Sequence, residues 1–124
     1  MNKQELIQRI QKAKSSHIKW RSYAQAIVAG LKVAEDKAPV QHTDCEFGRW
    51  YYGDGRATLS HMSVFNDIEG PHEVMHPTYR QVFEFAAKGK MDKAKEQMTH
   101  LCAISKSLVE LLDILEEQVR TSGE

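Results

Sequence analysis

The sequence predicts an all-α protein, a four-helix bundle of three long helices and one short helix. Three observations lead there. Apolar residues return at alternating intervals of four and three along three long portions of the chain, which marks one face of a helix. Glycine and proline cluster at the ends of those portions, and no stretch alternates apolar with polar residues as a half-buried strand would.

The first helix carries Leu6, Ile10, Ala13, His17, Trp20, Ala24, Ile27 and Leu31 on one stripe. Asn2, with Glu5 three residues later, supplies a cap-like start, and Gly30 lies near the end. A helix of this length calls for a bundle or coiled-coil partner. Residues 32–42 contain Pro39, lack periodicity and read as a connection. Thr43-Asp44-Cys45-Glu46 matches a capping box with Thr43 as N-cap, so a short helix should run from there to Gly53, with Cys45 in its first turn. Residues 54–66 give no clear element. A third helix is expected from Pro71 to Gly89, with His72, His76, Tyr79, Phe83 and Ala86 facing inward. The fourth runs from about Met91 to Val119 on Ala94, Met98, Leu101, Ser105, Leu108, Leu112, Leu115 and Val119, a stripe broadened by Ile104, Leu111 and Ile114. Residues 1–120 are expected to form a single domain, with 121–124 as a tail.

A chain of 124 residues can bury a real core yet is short for two domains. Its 17 basic and 17 acidic side chains sum to a net charge of zero, so no long-range field draws it to nucleic acid or to an anionic membrane. No apolar run reaches the roughly 18 residues of a spanning helix, and Met1-Asn2-Lys3-Gln4-Glu5 is unlike a signal peptide. A cytoplasmic location follows as the expectation. In a reducing compartment two cysteines suit metal ligation, redox chemistry or burial better than a structural disulfide, and six histidines point to the first of these.

His17 sits on an apolar stripe, where a polar ring must find a partner. Alone it would be an ordinary satisfied core residue. His72 and His76 are four apart, so a helix projects both imidazoles from one face, within reach of a single metal. Thiolate with imidazoles suits zinc better than calcium, magnesium or manganese, so Cys45 narrows the choice of ion. Its place at a helix start should also favour the thiolate. Cys102 has no histidine at ligand spacing and is expected only to pack. His42, His61 and His100 read as solvated, with His42 or His61 in reserve as a ligand.

The segments His17-Ile18-Lys19-Trp20, Cys45-Glu46-Phe47-Gly48-Arg49-Trp50 and His72-Glu73-Val74-Met75-His76, in that order, resemble the chemoreceptor zinc-binding (CZB) domain of bacterial signalling proteins. The resemblance runs from about Ser16 to Leu115, and its most specific part is the CxFGxW element. It implies a four-helix bundle, a Zn2+ cofactor held by His17, Cys45, His72 and His76, and a homodimer. It further implies control of a chemoreceptor or a diguanylate cyclase in response to zinc or to oxidants that attack the zinc-bound cysteine. No cyclase or receptor signalling sequence is present. The chain is therefore expected to be a sensing module without its output, either working through a partner or cut from a longer protein. Pro77 departs from the pattern: it removes a helical hydrogen bond to the residue-73 carbonyl and predicts a kink.

His72-Glu73-Val74-Met75-His76 is also a literal HExxH, the zinc-binding sequence of peptidases in which the glutamate is the general base. Against catalysis, three histidines and a cysteine close the tetrahedron that a catalytic zinc leaves open, and the extended motifs of the larger zincin groups are missing. Glu73 lies about 100° around the helix from His72, placed for a hydrogen bond to a ligand or for solvent. The sequence therefore favours a non-enzymatic sensor. A third reading makes zinc purely structural, fixing a dimerisation bundle with Trp50, Tyr51 and Tyr52 as surface contacts or as closure over the metal.

Overall fold

The computed structural model describes residues 2–31 and 45–122, which form helices without a strand. Helix α1 spans Lys3–Val28, α2 Glu46–Trp50, α3 Arg56–Leu59, α4 Ser63–Asp67, α5 Glu69–Ala87 and α6 Met91–Thr121. The long α6 packs against both α1 and α5, and those two also touch each other. The expected bundle of three long helices and a short cysteine-bearing one is present.

The helix ends follow from local chemistry. Asn2 Oδ1 accepts the Glu5 backbone N–H at 2.8 Å and opens α1. At its other end Gly30 adopts φ 87°, and the Leu31 N–H donates to the Ala26 carbonyl at 2.9 Å. That left-handed closure stops the helix at Val28, so Leu31, expected on the buried stripe, lies beyond the end and is 63% exposed. Gly89, at φ 73°, closes α5 in the same way, with Lys90 N–H on the Phe85 carbonyl at 2.8 Å.

All eight residues of the α6 stripe are buried, and Ile104 and Leu111 pack at its margin. Ile114 does not broaden it. That side chain is 48% exposed, because α6 has long helices only on the α1 and α5 sides. In α5 the buried set is His72, Met75, His76, Tyr79 and Val82, with Phe83 and Ala86 only partly covered. The stripe steps by three at Tyr79 rather than by four, as a period of 3.6 requires over several turns.

Three expected boundaries move, the first being the end of the short helix, expected at Gly53 and found at Trp50, where a π-helical turn takes over. α5 begins at Glu69, ahead of Pro71, whose missing N–H costs nothing in a first turn. It continues through Pro77 to Ala87 as one helix. Residues 54–66, which gave no element, are mostly helical: a π-helical turn at Tyr51–Gly55 bends at Gly53 and leads into α3 and α4. Leu59, Val64, Phe65 and Ile68 anchor this segment in the core. Thr121, read as the start of a tail, is the last residue of α6.

Candidate metal centre

The centre lies where α1, the start of α2 and α5 converge. His17 is on the buried stripe of α1, fully covered, with Nδ1 2.6 Å from the Ala13 carbonyl one turn earlier. A carbonyl only accepts, so Nδ1 carries the hydrogen and donates it, which leaves Nε2 as a bare lone pair. That Nε2 is buried and has no hydrogen-bond partner. Burial pushes the ring's pKa down to about 4 against the opposing Ala13 hydrogen bond, so the imidazole is neutral near pH 7.

Cys45 is not in the first turn of its helix but at the N-cap of α2, with extended φ −72° and ψ 156°. Thr43, the expected cap, lies outside the described residues. From the N-cap position Cys45 Sγ accepts the Gly48 N–H at 3.1 Å, doing what a serine or aspartate oxygen does elsewhere. Burial pushes the thiol's pKa up, opposed by the Gly48 N–H and the Arg49 charge. The helix start therefore does not by itself give the expected thiolate, because desolvation outweighs it; a nearby cation is the group that would.

His72 and His76, one turn apart on α5, complete the cluster. His72 Nε2 is 3.4 Å from Cys45 Sγ and 3.2 Å from His76 Nε2. One ligand atom from each of the four residues lies within 4.8 Å of all the others, and the residues are 0 to 3% exposed. Tetrahedral zinc at its usual bond lengths separates two nitrogens by roughly 3.3 Å and a nitrogen from a sulfur by roughly 3.6 Å. The Cys45–His72 and His72–His76 separations agree with these, and the bare Nε2 of His17 is the orphaned atom such an ion would satisfy. The residues fit a zinc ion.

The remaining candidates stand apart. His61 and His100 are exposed, His42 lies outside the described residues, and Cys102 packs at the core margin. Glu73 is exposed on α5. Trp50 and Tyr51, considered as surface contacts, are 5% and 1% exposed and belong to the core. Tyr51 donates its hydroxyl hydrogen to the Phe65 carbonyl and stacks on the Phe65 ring at 4.3 Å.

Sequence reasoning missed the rings that enclose the histidines. Phe47 stands edge-on to His17 at 5.5 Å and to His72 at 5.0 Å, and Trp20 to His17 at 4.9 Å and to His76 at 4.8 Å. The spacing of three between His17 and Trp20 was a usable signal for one of these contacts.

Comparison with protein families gives a match to the chemoreceptor zinc-binding domain over residues 17–83, from the first histidine of the cluster into the last turns of α5. The match stops short of α6, whereas the resemblance read from the sequence ran on to Leu115. Searches of curated proteins and of solved structures gave no match. The matched span exceeds half of the chain and contains all four clustered residues, and zinc is the ion this family binds. The chain belongs to the chemoreceptor zinc-binding domain family.

Proposed function

We propose that the chain holds one zinc ion through His17 Nε2, Cys45 Sγ, His72 Nε2 and His76 Nε2, and acts as a cytoplasmic sensory domain. It responds to zinc availability or to oxidation of Cys45. The observation that carries this reading is the convergence of four buried ligand atoms from three helical elements within 4.8 Å. Bound zinc supplies a cross-link whose binding free energy becomes order in the fold.

The chain's residues set what that cross-link does. The Ala13 carbonyl fixes the tautomer and direction of His17, as the outer shell of a metal site commonly does. His72 and His76 share a face of α5, so that helix offers a fixed pair. Cys45 reaches the centre from the short α2, and loss of its sulfur as a donor releases α2 while α1 and α5 stay packed on α6. A hydroperoxide can achieve this: Sγ attacks its terminal oxygen, the O–O bond breaks, the thiolate becomes a sulfenic acid, and the departing hydroxide or alkoxide takes a proton from solvent. Movement of α2 is the output, read by a homodimer partner or by a signalling protein such as a chemoreceptor or diguanylate cyclase. With Cys45 as fourth ligand no position is left for a catalytic water, and Glu73 faces solvent, so the reading contains no peptidase step.

Native mass spectrometry of wild type and Cys45→Ala, with and without chelator, tests the assignment. Wild type should carry one zinc per chain. The variant should bind it far more weakly, since outer-shell changes alone cost about 10–100-fold. Zinc X-ray absorption should show sulfur at roughly 2.3 Å. A Cys45→Ala protein with wild-type zinc affinity and oxidant response, or a shell of nitrogen, oxygen and water alone, would overturn the proposal; the latter would reopen the HExxH reading.

A further inference from the structure

The four clustered side chains are sealed from water, yet a zinc sensor must load and empty. We infer that Trp20 is the gate through which metal passes, an inference that rests on the proposed ligand set. Of the aromatic rings packed on the histidines, Phe47 is 7% exposed and sits deep, whereas Trp20 is only partly buried and reaches the surface. Its indole stands edge-on to His17 at 4.9 Å and to His76 at 4.8 Å, and lies nearly parallel to Tyr79 at 6.2 Å. It thereby spans the seam between α1 and α5 beside the rings of two of the four proposed ligands.

The two sides of the cluster are fastened differently. On the Phe47 side the short helix is tied to α1 by Glu46 to Lys12 at 2.6 Å, and the turn after it to α4 by the Tyr51 hydroxyl to the Phe65 carbonyl. On the other side Trp20 makes no hydrogen bond among the described residues, where ring and apolar packing hold it. Rotation of one partly buried side chain opens the seam without breaking a hydrogen bond among the described residues or moving a helix. Opening from the Phe47 side requires two polar ties to give way. The lower-cost path for metal, and for the small chelators or carriers that exchange it, runs past Trp20.

A gate and a support give different kinetics. Removing a gate speeds entry and exit together and leaves their ratio unchanged, whereas removing a support for the ligands speeds exit alone. Two edge contacts, at the usual worth of such ring pairs, correspond to a rate factor on the order of ten. Stopped-flow zinc loading and chelator-driven release should therefore show both rates about tenfold higher in Trp20→Ala, and higher by a smaller factor in Trp20→Phe. The dissociation constant should move by less than about threefold, and far-ultraviolet circular dichroism should be unchanged.

Release that accelerates with loading unchanged makes Trp20 a support and overturns the inference. Unchanged rates in both variants overturn it too, as does a loss of zinc binding or of folding in both. Failure of the ligand assignment is recognised separately: wild-type protein would then bind no zinc, or would bind it as well after Cys45→Ala. Trp20 would in that case guard nothing.

Discussion

His17 offers a bare Nε2 to the cluster because its other nitrogen is already used: the Ala13 carbonyl takes the Nδ1 hydrogen. The same economy governs Gly55. A Cβ there would lie 2.9 Å from the Trp50 carbonyl oxygen and 3.1 Å from two carbons of its ring, so the turn after α2 can close only on glycine. Gly55→Ala should destabilise the protein by about 1–3 kcal/mol, the usual range for overpacking. Gly70→Ala, where a Cβ meets nothing within 4 Å, should be neutral or should stabilise by up to about 1 kcal/mol. Urea denaturation at matched zinc concentration measures both, and equal effects would remove the Trp50 contact as the cause. At this scale the four clustered residues were legible and their surroundings were not. A histidine on an apolar stripe and an HxxxH pair are visible in one dimension, whereas the contact of Gly55 with Trp50 depends on a π-helical turn that no periodicity announces.

Among the elements, legibility tracked length. α1 and α6 bury long stripes, and all eight inward residues of α6 could be read from spacing, because many turns average out local exceptions. The helices between residues 46 and 67 have four or five residues each, too few for a period to show, and their order comes from burial of Leu59, Val64, Phe65 and Ile68. Between α1 and α6 a polar clasp adds to the apolar seam. Glu116 accepts from Lys14 Nζ at 2.6 Å and from Arg120 Nη2 at 2.6 Å, and its side chain is 12% exposed. The Lys14 hydrogen bond, followed by that of Arg120, pulls its carboxyl from the ordinary 4.5 to about 2. A depressed carboxyl pKa contributes stability that is fully present above pH 4.5 and is lost as pH falls toward about 2. Glu116→Gln should therefore cost on the order of 1 kcal/mol at neutral pH, after allowance for solvent screening. That difference from wild type should shrink as the pH is lowered below 4.5. Denaturation midpoints of the two proteins across this range check the sign, and a gap independent of pH would show that shape rather than charge is responsible.

For the molecule as a whole, the elements that carry the proposed ligands differ from the element that carries most of the core. α6 supplies no ligand, yet its Leu101, Leu108, Leu112 and Leu115 are fully buried, and it holds both α1 and α5 by apolar contact. Burial of each such side chain is worth about 1.5–3 kcal/mol and does not depend on an ion. Cys45 and the turns that follow it are short, and beside the cluster their polar ties to α1 and α5 among the described residues include exposed ion pairs of Glu46 and Arg56. Removal of zinc should thus leave the three-helix frame standing and loosen residues 45–59, rather than unfold the chain. Hydrogen exchange followed by mass spectrometry, with and without chelator, reads this directly. Peptides from 45–59 should lose protection while those from the middle of α6 keep it, and metal at about 100 times its dissociation constant should add about 2.7 kcal/mol to that local stability. Equal loss of protection in α6 would mean that the ion holds the whole bundle together. The site would then be a structural staple, with no separable part left to move as a signal.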